Sequence, residues 1–381
     1  MDDCPDTSGH QTPNAEHPMI VETPDAEHRT PKAGRIASSL RVIAAARLAL
    51  LIVLFAALFL YFSLNVPNFL GAYNIYSVVQ NGVIIGILGI AESLVIISGG
   101  GGIDLSVGSM LSLSGMSLGI VNIEWGMNIW LAVAACILTG LMLGCINGVL
   151  VSVVRIPPLI VTLATYYGYA AIALQLTSTR PLPDATQPNL PQSFPSEFIT
   201  IGNGNMQDIG WLSWFPKISG EGIPFQVFFV FVPLTIITAF ILRRTVGGRY
   251  LYGVGVNALA ARFSAIPVWG VRFWAYAAAG LFAGIAAVVQ TALSASATPN
   301  VGEGLNLQAI TIAVLGGVSI TGGEGTVPGV ILSTLIVIFL YNGLGLQLGN
   351  NAGVWQPFAL GILLISSVLF NEWVRRRLSV T

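Results

Sequence analysis

The sequence predicts an all-α, polytopic membrane bundle of about ten transmembrane helices with an internal repeat. Three observations predict it. Hydrophobic residues make up 54% of the chain while Asp, Glu, Lys and Arg together make up 9%, against roughly 25% in an ordinary soluble domain. Apolar runs of membrane-spanning length recur, giving a mean hydropathy of +0.78. The arginines gather in alternate connections between those runs. A soluble fold of this size needs a charged shell that this chain lacks, whereas a chain surrounded by lipid needs none. The formal net charge of -1 carries no message about nucleic acid, and no nucleic-acid partner is expected; membrane lipid is.

In chain order, Met1 to about Arg47 holds Pro, Asp, Glu, Thr and His without an apolar run. Such a composition cannot bury enough surface to fold alone, so residues 1–47 read as a disordered cytoplasmic tail. Acidic residues precede the basic ones and no small-residue cleavage site follows a short apolar core, so the first helix is expected to stay uncleaved. A transmembrane domain over 48–372 and a short cytoplasmic tail over 373–381 follow.

A bilayer core of about 30 Å needs roughly 20 apolar residues per helix. The runs fall at approximately 48–66, 75–97, 103–122, 128–152, 157–177, 223–242, 271–292, 306–320, 326–347 and 353–370. The third and the eighth adjoin glycine clusters and read as candidates for broken or re-entrant helices. Arg29, Lys32, Arg35, Arg41 and Arg47 precede the first run, Arg155 follows the fourth, Arg243, Arg244, Arg249, Arg262 and Arg272 follow the sixth, and Arg375, Arg376 and Arg377 follow the last. An even number of crossings puts all of these on one side and leaves only Arg180 and Lys217 on the other, so the positive-inside rule places both ends in the cytoplasm.

Two long connections stand out. Residues 178–222 are rich in Pro, Asn, Ser and Gly and carry Trp211 and Trp214; residues 243–270 are basic. Surfaces of this kind suit a transporter that meets one soluble partner outside and another inside. The three cysteines and three histidines give no metal-ligand spacing: His10, His17 and His28 lie in the tail, and Cys136 and Cys145 read as helix-packing thiols. No catalytic residue and no metal are expected.

The motif Ile97-Ser98-Gly99-Gly100 echoes Ile320-Thr321-Gly322-Gly323, each after a helix containing Leu-Gly. Transporters are often built from such repeats, with interrupted helices near the solute path. The first motif runs on through Gly102-Ile103-Asp104-Leu105-Ser106-Val107-Gly108. Asp104 reads first as an N-cap to the following helix, and with Ser106 also as polar lining. Glu92 is a carboxylate inside the second run, a placement usually turned toward a bundle interior. Gln80 and Asn81 precede it by about three turns; Gln290, Asn306 and Gln308 lie at the end of the seventh run and the start of the eighth. Interhelical hydrogen bonding explains each of them singly. Together they describe an uncharged polar path suited to a hydroxylated solute. No Lys or Arg is expected within the membrane as a fixed counter-ion. The Lys-Ser/Thr of a phosphate-cradling loop is missing throughout, so the chain carries no nucleotide site of its own.

In the basic connection, Asn257 is placed to cap a short helix from Ala258 to about Ala265, with small alanines and Phe263 available to a partner. The alternative is a solvated basic loop.

These motifs resemble the permeases of the bacterial ribose/xylose/galactose type of ATP-binding-cassette importer, in the branched-chain-amino-acid-permease-like superfamily. The resemblance runs from about residue 48 to 372. It rests on Gly102 to Gly108, on Asn147-Gly148 followed by Pro158 to Thr165, and on Gly248-Arg249 through Asn257 to Ala260-Ala261-Arg262-Phe263-Ser264. The chain departs from the family pattern at Gly253 and Ala265 and in its acidic tail. The resemblance implies a second permease subunit, identical or not, two cytoplasmic ATPases that use the ATP, and a periplasmic or lipid-tethered binding protein that delivers the solute. It implies ATPase coupling through Gly248, Arg249, Gly255, Asn257, Ala260, Ala261, Arg262, Phe263 and Ser264. The cargo is expected to be a pentose or hexose. The alternatives are another small polar solute (a nucleoside, an amino acid or a furanosyl signalling molecule) or an ion-coupled carrier.

Overall fold

The structure, a computed structural model, describes the backbone of residues 33–214, 217 and 222–378, and side chains from residue 48 to 369 within those limits. Most of the expected N-terminal tail, and the end of the C-terminal one, lie outside the described residues. The chain divides into two compact units, Met1–Ala46 and Arg47–Thr381, and the second holds the membrane bundle.

The regular secondary structure among the described residues is helical, with two isolated bridges besides. The helices are α1 (Ala33–Asn65), α2 (Ala72–Ile97), α3 (Val107–Gly119), α4 (Ile129–Ser152), α5 (Pro158–Leu176), α6 (Ser196–Asn203), α7 (Val232–Arg244), α8 (Val246–Val256), α9 (Ala258–Phe263), α10 (Val268–Ser294), α11 (Leu305–Leu315), α12 (Val327–Leu348) and α13 (Ala352–Leu378). One-turn π segments, Ile120–Glu124 and Val227–Phe231, extend α3 and α7 at the ends that adjoin the 178–226 connection and its neighbours. Among the described residues, seven stretches are long and apolar enough to cross a membrane, one of them α12 and α13 together. Counting those two separately and adding the shorter α3 and α11 gives the bundle of about ten membrane helices.

Its two ends differ. The basic end gathers the α2–α3, α4–α5 and α7–α10 connections. The other, here the loop end, is capped by the described residues of the 178–226 connection, where Leu182 pairs with Ala297 and Asn203 donates to the carbonyls of Ala292 and Leu293. Inside, α10 lies against α4 more extensively than any other helix pair. Gly140 and Gly144 face Gly280 and Gly284, so close that a Cβ on Gly280 would collide with the Gly140 carbonyl. Small residues at this spacing let membrane helices approach backbone to backbone. Cys136 belongs to the same seam, its thiol donating to the Gly284 carbonyl at 3.5 Å. Cys145 is only half-buried.

The third and eighth runs are indeed interrupted. α3 starts at Val107 rather than near 103, because Gly99, Gly100 and Gly101 adopt φ near +70° and return the chain into the bundle as an irregular segment. α11 has 11 residues, roughly 16 Å at 1.5 Å per residue, half a bilayer core. The segment before it descends from Ala297, beside Gly119, to Gly302, whose amide donates to Ser112 Oγ at 2.9 Å. Irregular backbone at membrane depth is tolerated only where protein or water satisfies it; Gly102, Asp104 and Ser106 in the first segment and Ala297, Pro299 and Gly302 in the second are buried, while Gly100, Gly101, Asn300 and Glu303 are exposed. The basic connection holds two helices where the sequence suggests one. α8 was hidden by its glycines; Thr245 caps it by accepting from the Gly248 amide.

Candidate functional site

Three places stand out: a polar groove at the loop end, a sealed polar network near the basic end, and the exposed, largely apolar helix α9.

The groove lies between α2, α11, α12 and α13 and encloses about 370 Å³. Asn81, Gln308, Tyr341, Asn342, Gln356 and Ser77 supply its polar wall, and among the described residues no charged side chain lines it. Asn81 and Gln308 are here as the sequence predicts. Gln308 is buried and its Oε1 has no partner, while its side chain lies beside the Tyr341 hydroxyl. Asn81 donates to the Ser77 carbonyl at 2.8 Å and Gln356 to the Tyr341 carbonyl at 2.8 Å. Asn74 and Asn342 exchange amide hydrogen bonds at 3.0 and 2.8 Å. Tyr341, Asn342 and Gln356 escaped the sequence reading. Their signal was the polar stripe Asn74, Ser77 and Asn81 at helical spacing on α2, which needs a polar counterpart across the groove.

Gln80 points elsewhere. It donates to Tyr76 and to the Gly202 carbonyl at 3.1 Å, and its own carbonyl accepts from Gln226. It ties α2 to the loop-end cap. Gln290 is half-buried near the end of α10, and Asn306 is buried at the start of α11, where Gly108 closes on its amide.

Glu92, Asp104 and Ser106 come together in the sealed network. Glu92 Oε1 accepts the Asp104 amide at 3.0 Å. Asp104 Oδ1 accepts both the amide and the hydroxyl of Ser106, at 2.8 and 2.6 Å. Asn147 donates to Ser106 Oγ at 2.7 Å, and Tyr169 donates to Asn147 Oδ1 at 3.1 Å. Thr162 donates to the Ile103 carbonyl. Glu92, Asp104, Ser106, Asn147 and Thr162 are all 0% exposed. The expected cap needs correction: the N-cap of α3 is Ser106, with no side-chain cap bond. Asp104 stands two residues too early to reach the free amides of α3, and it instead closes a turn that holds the re-entrant segment.

Arg272 lies in the second turn of α10, at the basic end, and its guanidinium packs over Gly100. With Arg155 and Arg262 it lines a cavity of about 710 Å³ at the basic end.

α9 forms one wall of that cavity. Asn257 caps it as predicted, accepting from the Ala260 amide at 2.9 Å. Ala261 is buried, while Leu259 and Phe263 are 65% and 84% exposed. Immediately before α9, Gly255 is wedged against the Ile97 carbonyl and Gly323, and Gly322 lies against Gly99. Gly248 packs on the end of α7, and Arg249 and Ser264 are exposed. The two echoing glycine motifs therefore meet each other and the root of α9.

Residues 74–368 match the family described as branched-chain amino acid transport system / permease component. The chain is 33% identical over 331 residues to the autoinducer 2 import system permease protein of Klebsiella pneumoniae, covering 86% of this chain and 93% of that one. It is 31% identical over 307 residues to the ribose import permease protein of Escherichia coli, covering 80% and 88%. It is 30% identical to the xylose transport system permease protein of Haemophilus influenzae over 369 aligned positions, covering 86% and 97%. No solved structure matches.

Proposed function

The chain belongs to the branched-chain amino acid transport system / permease component family, and from that premise we propose that it passes a neutral, polyhydroxylated solute of sugar size across the bacterial inner membrane. It is the permease of an ATP-binding-cassette importer and is not itself an enzyme; the family calls for no cofactor on this chain. The observation that carries the cargo reading is the charge-free, amide-lined groove, because amides both donate to and accept from sugar hydroxyls. The ribose and xylose permeases among its relatives support a pentose. The autoinducer 2 relative supports a second reading, a small furanosyl signalling molecule carried by the same architecture.

The basic end faces the cytoplasm in this proposal, by the positive-inside rule. α9, with Leu259 and Phe263 exposed, seats in a groove on the ATPase; a second permease subunit and a binding protein at the loop end complete the machine. A shift of α9 is transmitted through Gly255 to the turns at 97–102 and 321–323, since three backbones in direct contact cannot slide independently. Glu92 and Asp104 then act as the fastening of the re-entrant segment, moving with it.

The test is uptake of labelled ribose, xylose and fructose into proteoliposomes holding the chain, its ATPase and its binding protein. ATP-dependent uptake that disappears when residues 258–263 are replaced by a Gly-Ser linker is expected. Uptake that survives the replacement, or that runs on a proton or sodium gradient with this chain alone, overturns the proposal.

A further inference from the structure

We infer that the cavity at the basic end is a binding site for the phosphodiester headgroup of an anionic phospholipid, held by Arg155, Arg262 and Arg272. The inference needs only that the chain crosses a bilayer, so it stands apart from the cargo proposed above.

Its first support is unmatched charge. The cavity lies between the α4–α5 turn, α9 and the start of α10. Three guanidiniums line it, and no Asp or Glu among the described residues does. None of the three is ion-paired among the described residues. Arg272 Nε is buried with no hydrogen-bond partner, a state that buried polar atoms rarely keep. Guanidiniums stay charged at any physiological pH, and their forked N–H donors match phosphate oxygens. The walls add to the field. α5 begins at Pro158 and α10 at Val268, both on the cavity. Pro157 and Pro267 cap them without a side-chain acceptor, and neither first turn holds an acidic residue. Two helix N-termini thus bring partial positive charge to the same rim.

The second support is backbone geometry. Arg155 follows the end of α4 at φ +67°, in the left-handed region where helices usually end on glycine. A glycine would serve this turn at lower conformational cost. What arginine adds is a guanidinium on the cavity wall. Strained positions of this kind cluster at functional sites, and a second one, Ala265 at φ +59°, lines the same cavity.

The third support separates a lipid from a free anion. At about 710 Å³ the cavity falls within the range of small-molecule pockets, roughly 300–1,000 Å³, and exceeds what one phosphate fills. Val151, Ile156, Ile266 and Val268 give it an apolar side, which suits glycerol and the first methylenes of acyl chains. Trp269 also lines it and is 61% exposed; tryptophan concentrates at headgroup depth. Basic pockets between membrane helices at that depth hold anionic headgroups.

The experiment is native mass spectrometry of the permease–ATPase complex, titrated with phosphatidylglycerol, phosphatidylcholine and inorganic phosphate. Phosphatidylglycerol should bind more tightly than either of the others. Arg155→Gly should weaken phosphatidylglycerol binding roughly fivefold, the effect of one surface arginine on anionic lipid, while thermal stability holds or rises because glycine suits that φ. A purely structural Arg155 would move stability and leave lipid binding alone. Arg272→Gln, which also loses its packing on Gly100, should weaken binding by a similar factor. Lipid binding unchanged from wild type in both variants overturns the inference. So does tighter binding of inorganic phosphate than of phosphatidylglycerol, which would make the cavity a free-anion site. Lipid held by the permease alone but expelled when the ATPase is added would give the arginines to that partner, and overturns it as well. A complex that moves no pentose leaves the lipid measurement untouched, so the two readings fail separately.

Discussion

The Gly323 amide donates to the Ile97 carbonyl at 3.0 Å, joining the turn that follows α2 to the turn that precedes α12. Gly255 fills the remaining space, so that its missing side chain is what lets α8 end against both. Replacing Gly255 by Val would drive a side chain into the Ile97 carbonyl and the Gly323 backbone. The expected outcome is a protein that inserts in the membrane and binds its ATPase, yet transports at least tenfold more slowly while ATP hydrolysis continues. Parallel uptake and ATPase assays check it. Tightly coupled wild-type transport by the variant would mean that motion does not pass through this contact.

Glu92 and Asp104 make the sharpest pair of substitutions. Glu92 accepts one backbone hydrogen bond and Asp104 accepts two, all through a single oxygen each. Glu92→Gln and Asp104→Asn keep that oxygen, and uptake should stay within about threefold of wild type. Asp104→Ala leaves the buried amide and hydroxyl of Ser106 without their acceptor, at about 1–3 kcal/mol for each unsatisfied group. Its thermal stability and uptake should both fall. If Asp104→Asn abolishes transport with normal insertion and stability, the charge itself acts in the solute path.

Much of this arrangement is legible in the amino-acid sequence. The crossings follow from apolar length, and α9 from Asn257 and the alanines after it. Both interrupted helices were signalled by their glycines. What the sequence hid is convergence. Gly102 to Gly108, Asn147-Gly148 and Pro158 to Thr165 are separate stretches, yet Asp104, Ser106 and Asn147 form one hydrogen-bonded chain and Thr162 donates to the Ile103 carbonyl beside it. No spacing rule encodes a contact between residues 41 positions apart. Gln80 and Asn81 show the same limit at short range. They are neighbours of equal polarity, but the helix turns one to the Gly202 carbonyl and the other to the groove.

The seam between α4 and α10 predicts where added volume cannot be absorbed. A Cβ at Gly280 meets the backbone of Gly140 and Gly144 on the facing helix, and backbone cannot rotate aside as a side chain would. Gly280→Val should destabilise the bundle by about 1–3 kcal/mol or more, the usual cost of overpacking. Gly361→Ala on α13, where a Cβ meets nothing within 4 Å, should be neutral or slightly stabilising, because Ala favours a helix over Gly by up to about 1 kcal/mol. Thermal inactivation in detergent separates the two, and equal effects would remove the seam from the account.

Asp184 predicts how the loop-end cap responds to acid. The Thr186 amide and hydroxyl donate to it at 2.9 and 2.7 Å, and Arg180 lies 3.0 Å away on its other oxygen. The Thr186 bonds first, and the arginine after them, hold its carboxyl below the usual carboxylate range. A carboxyl lowered by folding stabilises the fold above its unfolded value, about 3.9, and loses that contribution as pH falls through the lower folded value. Hydrogen-exchange protection at Thr186 should therefore be constant from pH 7 to 5 and weaken only below about 4. Asp184→Asn should remove that acid-dependent change, leaving protection at Thr186 the same on both sides of pH 4. Loss of protection in the wild type between pH 7 and 5 would have the wrong sign and place, and would transfer the response to another group.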